Sequence, residues 1–526
     1  MRLGKRGIAV TGLLVWMCLF GPAASARAGT WVQNVTLSHD GITRYFDYYV
    51  PDGLPATPVP LLFVLHGGKQ SNKLLPFSAY VEMQDIADDE AMILVQPNGT
   101  DPTTGLSGPN GNFNWNDCRA DAGGSTTTAD DVGFIGALID WAAGAFAIDL
   151  DRVYATGPSN GGLMSYRLAF DLSDRIAAIA AVIANLPADS ECAAAPSQPR
   201  SVLIMNGTLD AFMPFNGGTV LPGQGLVQST AATHDFWRSF LGTNPVPVSV
   251  KLPDIRVGDE STVSSQAHCG GAEGTDVRLY TVKGGGHTIP SIAHPVPPSA
   301  SFLGPQNRDV EGPVEIWRFL KQHSRTACGL CEAWDGATAS CVAAPRSDCR
   351  RSTRPASSLL SVTDKSDDSR DKISWKWSHG EATGLADLSD PFSTSDYALC
   401  LYDESGMNPA LLFRAVASGE QAVCGAPWHW AALAGGKGYK YLDQNEIPEG
   451  VFQLDLRTGD AGKARVAIKG AGENLSGRSY GMPTPPLSFP LRVQLQIEGG
   501  ACFEASYSGA GALRNEPGRF KARADG

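Results

Sequence analysis

Ser159 stands between two glycines in Gly157-Pro158-Ser159-Asn160-Gly161, after the β-rich run Arg152 to Thr156 and before the helical stretch Gly161 to Phe170. A serine hydroxyl is a weak nucleophile, and it attacks acyl carbonyls only when a sharp turn exposes it beside a base. A strand, G-x-S-x-G and a helix in that order supply such a turn. The glycines leave room where a side chain would crowd the bend, and the helix N-terminus favours negative charge developing nearby. The serine needs two partners. Asp210 follows the apolar run Val202-Leu203-Ile204-Met205 through Asn206-Gly207-Thr208-Leu209, and His287 follows Leu279 to Val282 on the glycine-rich loop Gly284-Gly285-Gly286. Asp210 would fix the tautomer of His287, and His287 would act as the base.

Asp189, Asp254 and Asp259 compete with Asp210 but follow no comparably apolar strand, and the other histidines lack a post-strand loop of this kind. The order Ser, Asp, His is that of α/β-hydrolases and of neither serine-protease class. Leu65-His66-Gly67-Gly68 closes an early apolar strand, where a backbone N–H would complete an oxyanion hole with that of Asn160. His66 itself reads as structural. Phe113 and Trp115, in the long loop before Cys118, are candidates to contact substrate or simply to pack that loop.

Elements that position these residues run from about residue 30 to 324. Strands are expected at Arg44 to Val50, Leu61 to Leu65, Met92 to Gln96, Arg152 to Thr156, Ile176 to Ile183, Ser201 to Met205 and Val277 to Val282. Helices are expected at Phe77 to Asp88, Val132 to Ala145, Gly161 to Phe170, Thr230 to Phe240 and Pro313 to Gln322. This alternation predicts an α/β fold with a largely parallel sheet. Beyond it the pattern changes to β-forming runs with Gly, Asp and Asn turns, which predicts an all-β sandwich. The expected division is a signal peptide at 1–28, an α/β-hydrolase catalytic domain at 29–325, a Cys-rich linker at 326–372 and a β-rich C-terminal domain at 373–526. Trp428, His429, Trp430 and Tyr441 are candidates there for a face that binds polymer or carbohydrate, or for its core.

Residues 1–28 read as a secretory leader, basic and then apolar from Ile8 to Phe20, with small residues at Ala24-Ser25-Ala26. Its loss takes the formal charge from −12 to about −16, which disfavours nucleic acid as a partner. No later run is long enough to span a bilayer, so a secreted protein, extracellular or periplasmic, is expected. Of the eleven cysteines, ten remain without Cys18, an even number suited to disulfides in an exported chain. Cys118, Cys192 and Cys269 lie in the first half and seven in the second, so either one bridge joins the halves or a thiol stays free on each side. Cys328, Cys331, Cys341 and Cys349 are expected to staple the linker with two bridges in preference to holding a metal.

Leu65-His66-Gly67-Gly68, Gln96-Pro97-Asn98-Gly99, Asp130-Asp131-Val132-Gly133-Phe134, Ala155 to Gly162, Asn206 to Asp210 and Gly284 to Thr288 occur in one order across residues 60 to 290. In this the chain resembles the secreted polyhydroxybutyrate depolymerase and feruloyl esterase family of α/β-hydrolases. The resemblance implies Ser159, Asp210 and His287 as the catalytic triad, the amides of Gly68 and Asn160 as the oxyanion hole, and a Cys118–Cys192 bridge. It departs at Ile289, where members often carry Trp. The expected activity is ester hydrolysis without metal or organic cofactor, on a hydroxybutyrate-type polyester. The alternatives are feruloyl or acetyl esters on plant polysaccharide, and a non-catalytic polymer-binding or adhesion protein.

Overall fold

Strand runs apolar at every position suit a sheet covered on both faces, because successive side chains point to opposite sides. The computed structural model describes residues 29–525 apart from 121, 123–126, 192–194, 221–223, 327–329, 336–339, 394, 421, 423, 426–428, 445–448 and 476–480. The leader at 1–28 lies outside the described residues, as do Cys192, Cys328 and Trp428.

Ten strands form one mixed sheet: β1 (Thr30–His39), β2 (Ile42–Val50), β3 (Val59–Val64), β4 (Ile93–Pro97), β5 (Ile148–Pro158), β6 (Ala178–Val182), β7 (Ser201–Gly207), β10 (Val248–Lys251), β11 (Thr262–His268) and β12 (Val277–Lys283). A small ribbon, β8 (Gly218–Thr219) with β9 (Leu226–Val227), stands apart. The spatial order is β1-β2-β4-β3-β5-β6-β7-β12-β11-β10. Strands β4, β3, β5, β6, β7 and β12 run parallel, and antiparallel pairs close both edges.

Among the described residues, five α-helices cover the faces: α1 (Glu82–Glu90), α2 (Asp131–Ala145), α3 (Asn160–Asp171), α4 (Thr230–Leu241) and α5 (Gly312–Leu320). Leu61, Phe63, Val202 and Ile204 pack with α2, α3 and α4, while Leu62, Val64, Leu203 and Met205 pack with α1 and α5. Alternation along each strand thus builds two cores from one run, the arrangement of an α/β sheet covered on both faces. The strands β1, β10 and β11 carry mixed, partly exposed sequences and gave no apolar signal. The helix expected from Phe77 starts at Glu82, because Ser78 accepts a hydrogen bond from Tyr80 N–H (3.3 Å) and sets a tight turn there.

In the second half, an eight-stranded antiparallel sheet runs in the order Trp430–Ala432, Gly438–Leu442, Val451–Arg457, Ala464–Ala471, Lys372–Gly380, Ser358–Thr363, Arg519–Arg523, Ala512–Glu516. A four-stranded one runs Ala410–Ala417, Tyr397–Asp403, Leu491–Ile497, Cys502–Tyr507. Both contribute to a shared core, with Trp375, Trp377 and Ile468 from the first and Leu401, Val493 and Phe503 from the second. Trp430 and Tyr441 belong to this core and offer no open binding face.

Two expectations change. Residues 358–363, counted as linker, are a central strand of the larger sheet, paired on both sides. The linker cysteines reach outward: Cys331 bonds Cys400 and Cys349 bonds Cys502, because Cys331 and Cys349 lie against the smaller sheet. Cys118 and Cys341 are also disulfide-bonded. The open question of the odd cysteine counts is answered by Cys269–Cys424, which joins the halves across 155 residues. No helix among the described residues is long and apolar enough to cross a membrane.

Candidate active site

Strand β5 hands over to α3 at Ser159, whose backbone sits at φ 56° and ψ −119°. That conformation is costly for a residue with a Cβ, so the surroundings must hold it. Ser159 N–H donates to Val182 O at the end of β6 (2.9 Å), and Ser159 O accepts from Leu163 N–H (2.9 Å). A methyl group on Gly157 or Gly161 would collide with Leu65 O, so the chain after β3 can lie against the elbow only because both are glycine. Ser159 remains partly exposed.

Strands β7 and β12 are parallel neighbours, so the loops leaving their C-terminal ends start side by side. Leu209 N–H donates to Gly285 O (2.8 Å) and Thr208 N–H to Val282 O (3.0 Å), which ties the two loops together. Asp210 Oδ1 accepts from the N–H groups of Phe212 and Met213 (2.8 Å each), and its Oδ2 faces His287 Nδ1 at 2.7 Å. With Nδ1–H donating to the carboxylate, Nε2 of a neutral His287 keeps its lone pair for a proton. His287 N–H donates to Leu303 O (2.6 Å) and Gly286 N–H to Pro305 O (2.7 Å), fixing the ring from the other side.

The structure therefore joins Asp210 to His287. Ser159 Oγ makes no hydrogen bond among the described residues, and it lies at the same C-terminal edge of the sheet, which runs β5-β6-β7-β12. In enzymes of this kind the hydrogen bond from serine to base often forms only once substrate binds.

Around Gly68 the amides divide sharply. Gly67 N–H donates to Gln70 Oε1 (3.2 Å), Lys69 N–H to Asn114 Oδ1 (2.5 Å) and Gln70 N–H to Phe113 O (3.3 Å). Gly68 N–H donates to nothing among the described residues, and neither does Asn160 N–H at the start of α3. A Cβ on Gly68 would lie 3.4 Å from that of Asn160, so the two free donors belong to adjacent backbone.

Phe113 and Trp115, expected to reach substrate or pack the loop, are 4% and 0% exposed. Trp115 Nε1–H donates to His66 O (2.9 Å), and its ring lies 4.8 Å from that of His66. Its N–H donates to Asn160 Oδ1 (2.8 Å), while Asn160 Nδ2 donates to the Asp117 carboxylate, itself paired with buried Arg119 (2.7 Å). These residues brace the loop bearing Gly68 from behind. His66 is wholly buried. It takes Gly99 N–H on Nε2 (3.0 Å) and gives Nδ1–H to Gly67 O (2.7 Å), and burial pushes its pKa down to about 4, so it stays neutral.

Two site residues escaped the sequence reading. The Phe212 ring lies 5.2 Å from the His287 ring, and Phe302 lies 6.1 Å from Phe212 edge to face. Neither stands in a motif or an apolar period. Only the ring contacts, Phe212 on His287 and Phe302 on Phe212, mark them.

No family model matches the chain. The protein named "Putative esterase NocK", from Nocardia uniformis subsp. tsuyamanensis, is 30% identical over 287 residues, covering 52% of this chain and 78% of its own length. Feruloyl esterase B of Piromyces equi is 31% identical over 190 residues, 35% of this chain and 32% of that enzyme. "Probable feruloyl esterase C" of Aspergillus niger is 27% identical over 197 residues, 36% and 64% respectively. The chain thus spans about a third of the first feruloyl esterase and just under two thirds of the second. Among solved structures, acetyl xylan esterase from Aspergillus awamori aligns over 50% of this chain and 96% of its own at 14% identity, with a TM-score of 0.34.

Proposed function

The chain belongs to the esterase family of NocK, and from that premise we propose that it is a serine hydrolase of carboxylic esters with Ser159, His287 and Asp210 as its triad. The observation that carries the assignment is the 2.7 Å bond between Asp210 and His287 at the sheet edge where Ser159 occupies a strained elbow. Ser159 Oγ attacks the ester carbonyl carbon while its proton passes to His287 Nε2, and the carbonyl oxygen becomes an oxyanion on the Gly68 and Asn160 amides. Collapse breaks the bond to the alcohol oxygen, which takes the proton from His287. Water, losing a proton to His287, then attacks the acyl-serine; collapse breaks the bond to Ser159 Oγ, which takes that proton from His287, and the acid leaves.

For the acyl group we favour feruloyl or acetyl esters on plant polysaccharide over a hydroxybutyrate polyester. The sequence alone put the polyester first, but the relatives that bear a substrate in their names are feruloyl esterases. Export is part of the proposal, supported by the disulfides, which need an oxidising compartment. The test supplies purified protein with methyl ferulate, acetylated xylan and polyhydroxybutyrate film. Release of ferulate or acetate is expected, with a loss on the order of 10⁶-fold in kcat for Ser159→Ala. Clearing of the film with both other substrates untouched would restore the polyester, and an unaffected Ser159→Ala enzyme would remove the triad.

A further inference from the structure

The base side of the site carries an apolar surface that the chemistry above leaves unused. Phe302 is 67% exposed and Leu209, next to Asp210, is 61% exposed. Phe212 fills the space between Phe302 and His287, with ring separations of 6.1 and 5.2 Å. Single exposed apolar residues need no explanation, but these three share the two loops that hold the Asp210–His287 pair. Phe212 N–H is one of the two donors to Asp210, and the carbonyl of Leu303, next to Phe302, holds His287 N–H. The segment bearing Phe302 is also cross-linked: Gln306 Nε2 donates to Ile289 O (2.9 Å) and His294 O (3.1 Å), and its Oε1 accepts from Val296 N–H (2.7 Å). An aromatic face is thereby held at a set position relative to the base.

The base fixes what that face can meet. His287 must return its proton to the departing alcohol oxygen, so groups beside its ring lie on the leaving-group side, whereas the Gly68 and Asn160 amides mark the carbonyl oxygen. A sugar presents a face of polarised C–H bonds, and an exposed ring with a negative π-face is its natural counterpart. We infer that Phe302, backed by Phe212, is the stacking platform for the sugar alcohol released from the ester. This rests on the ester-hydrolase reading above.

The test compares kcat/KM for two esters of one acid, methyl ferulate and a feruloyl-arabinose, in the wild type, Phe302→Ala, Phe302→Leu and Phe302→Tyr. Loss of the ring should lower the feruloyl-arabinose value about tenfold more than the methyl ferulate value, through KM. Phe302→Leu, which keeps apolar area without a π-face, should behave as Phe302→Ala, and Phe302→Tyr should restore the ratio. Equal changes on both esters, or a leucine variant equal to the wild type, would overturn the platform while leaving the esterase intact. A wild type inert on both esters, and on the substrates of the previous test, would instead bring down the function reading itself.

Discussion

Asp210→Asn separates the chemistry of the site from its scaffolding. The asparagine oxygen can keep the two N–H donors of Phe212 and Met213, now at 2.8 Å from Oδ1, so the turn should survive. Its NH₂ then replaces Oδ2 opposite His287 Nδ1, where a carboxylate stands at 2.7 Å. Two donors cannot face each other, so Nδ1 must accept and the ring proton moves to Nε2, where Ser159 needs a lone pair. A wrong tautomer of this kind lowers kcat by about 10⁴-fold, roughly 5.5 kcal/mol of transition-state stabilisation, with little change in KM. Asp210→Ala removes the acceptor altogether and leaves both N–H groups unpaired, adding a stability loss of about 2–4 kcal/mol that the asparagine variant avoids. Steady-state hydrolysis of methyl ferulate, with urea unfolding of both variants, reads the two effects apart. A fall of less than tenfold in Asp210→Asn, in a protein as stable as the wild type, would refute the role assigned to this carboxylate.

Other consequences follow from particular contacts. Trp115→Ala empties a fully buried site and strips His66 O of its donor, so urea unfolding should show a loss of about 3–5 kcal/mol; a loss under 1 kcal/mol would show that the loop does not depend on it. Cys424→Ser opens the bridge across 155 residues and should cost about 2–5 kcal/mol in the unfolding free energy, with no loss in a reducing buffer that has already opened it. Asp396 accepts from Gly419 N–H (3.2 Å), and its pKa is pushed up to about 8, first by burial and then by Glu498, Glu449 and, from across the joint between the halves, Asp276. Its protonated form is favoured in the folded state, so its contribution is complete below pH 3.8 and is lost as pH rises through about 8. As pH rises from 3.8 to about 8, Asp396→Asn should therefore gain stability relative to the wild type, and parallel pH profiles would contradict this.

Much of the site was legible because its signals are local. Gly157 and Gly161 declare a bend that no other residue allows against Leu65 O, and Asp210 and His287 each follow an apolar run that must be a covered strand. The strands β3 and β7 were found for the same reason, since burial on both faces leaves a nearly continuous apolar run. The outer strands β1, β10 and β11, at or next to the sheet's edges, were not, because part of each meets water and their composition says little. Phe113 and Trp115 show the limit of reading by residue type: an aromatic in a loop near the site suits a cleft or a core equally, and here they fill the core.

Residue order along the chain, by itself, determined the bend at Ser159, the succession Ser, Asp, His and the shift from alternating elements to β-rich ones, since each depends on sterics or periodicity within a few residues. Only the tertiary structure decided that Leu209 and Gly285 meet, that Gly68 N–H is left over when its neighbours are paired, that Cys269 finds Cys424, and that Phe302 meets Phe212. Those are contacts between segments tens to hundreds of residues apart. They are set by which strands become neighbours in the sheet, and no local pattern encodes that choice.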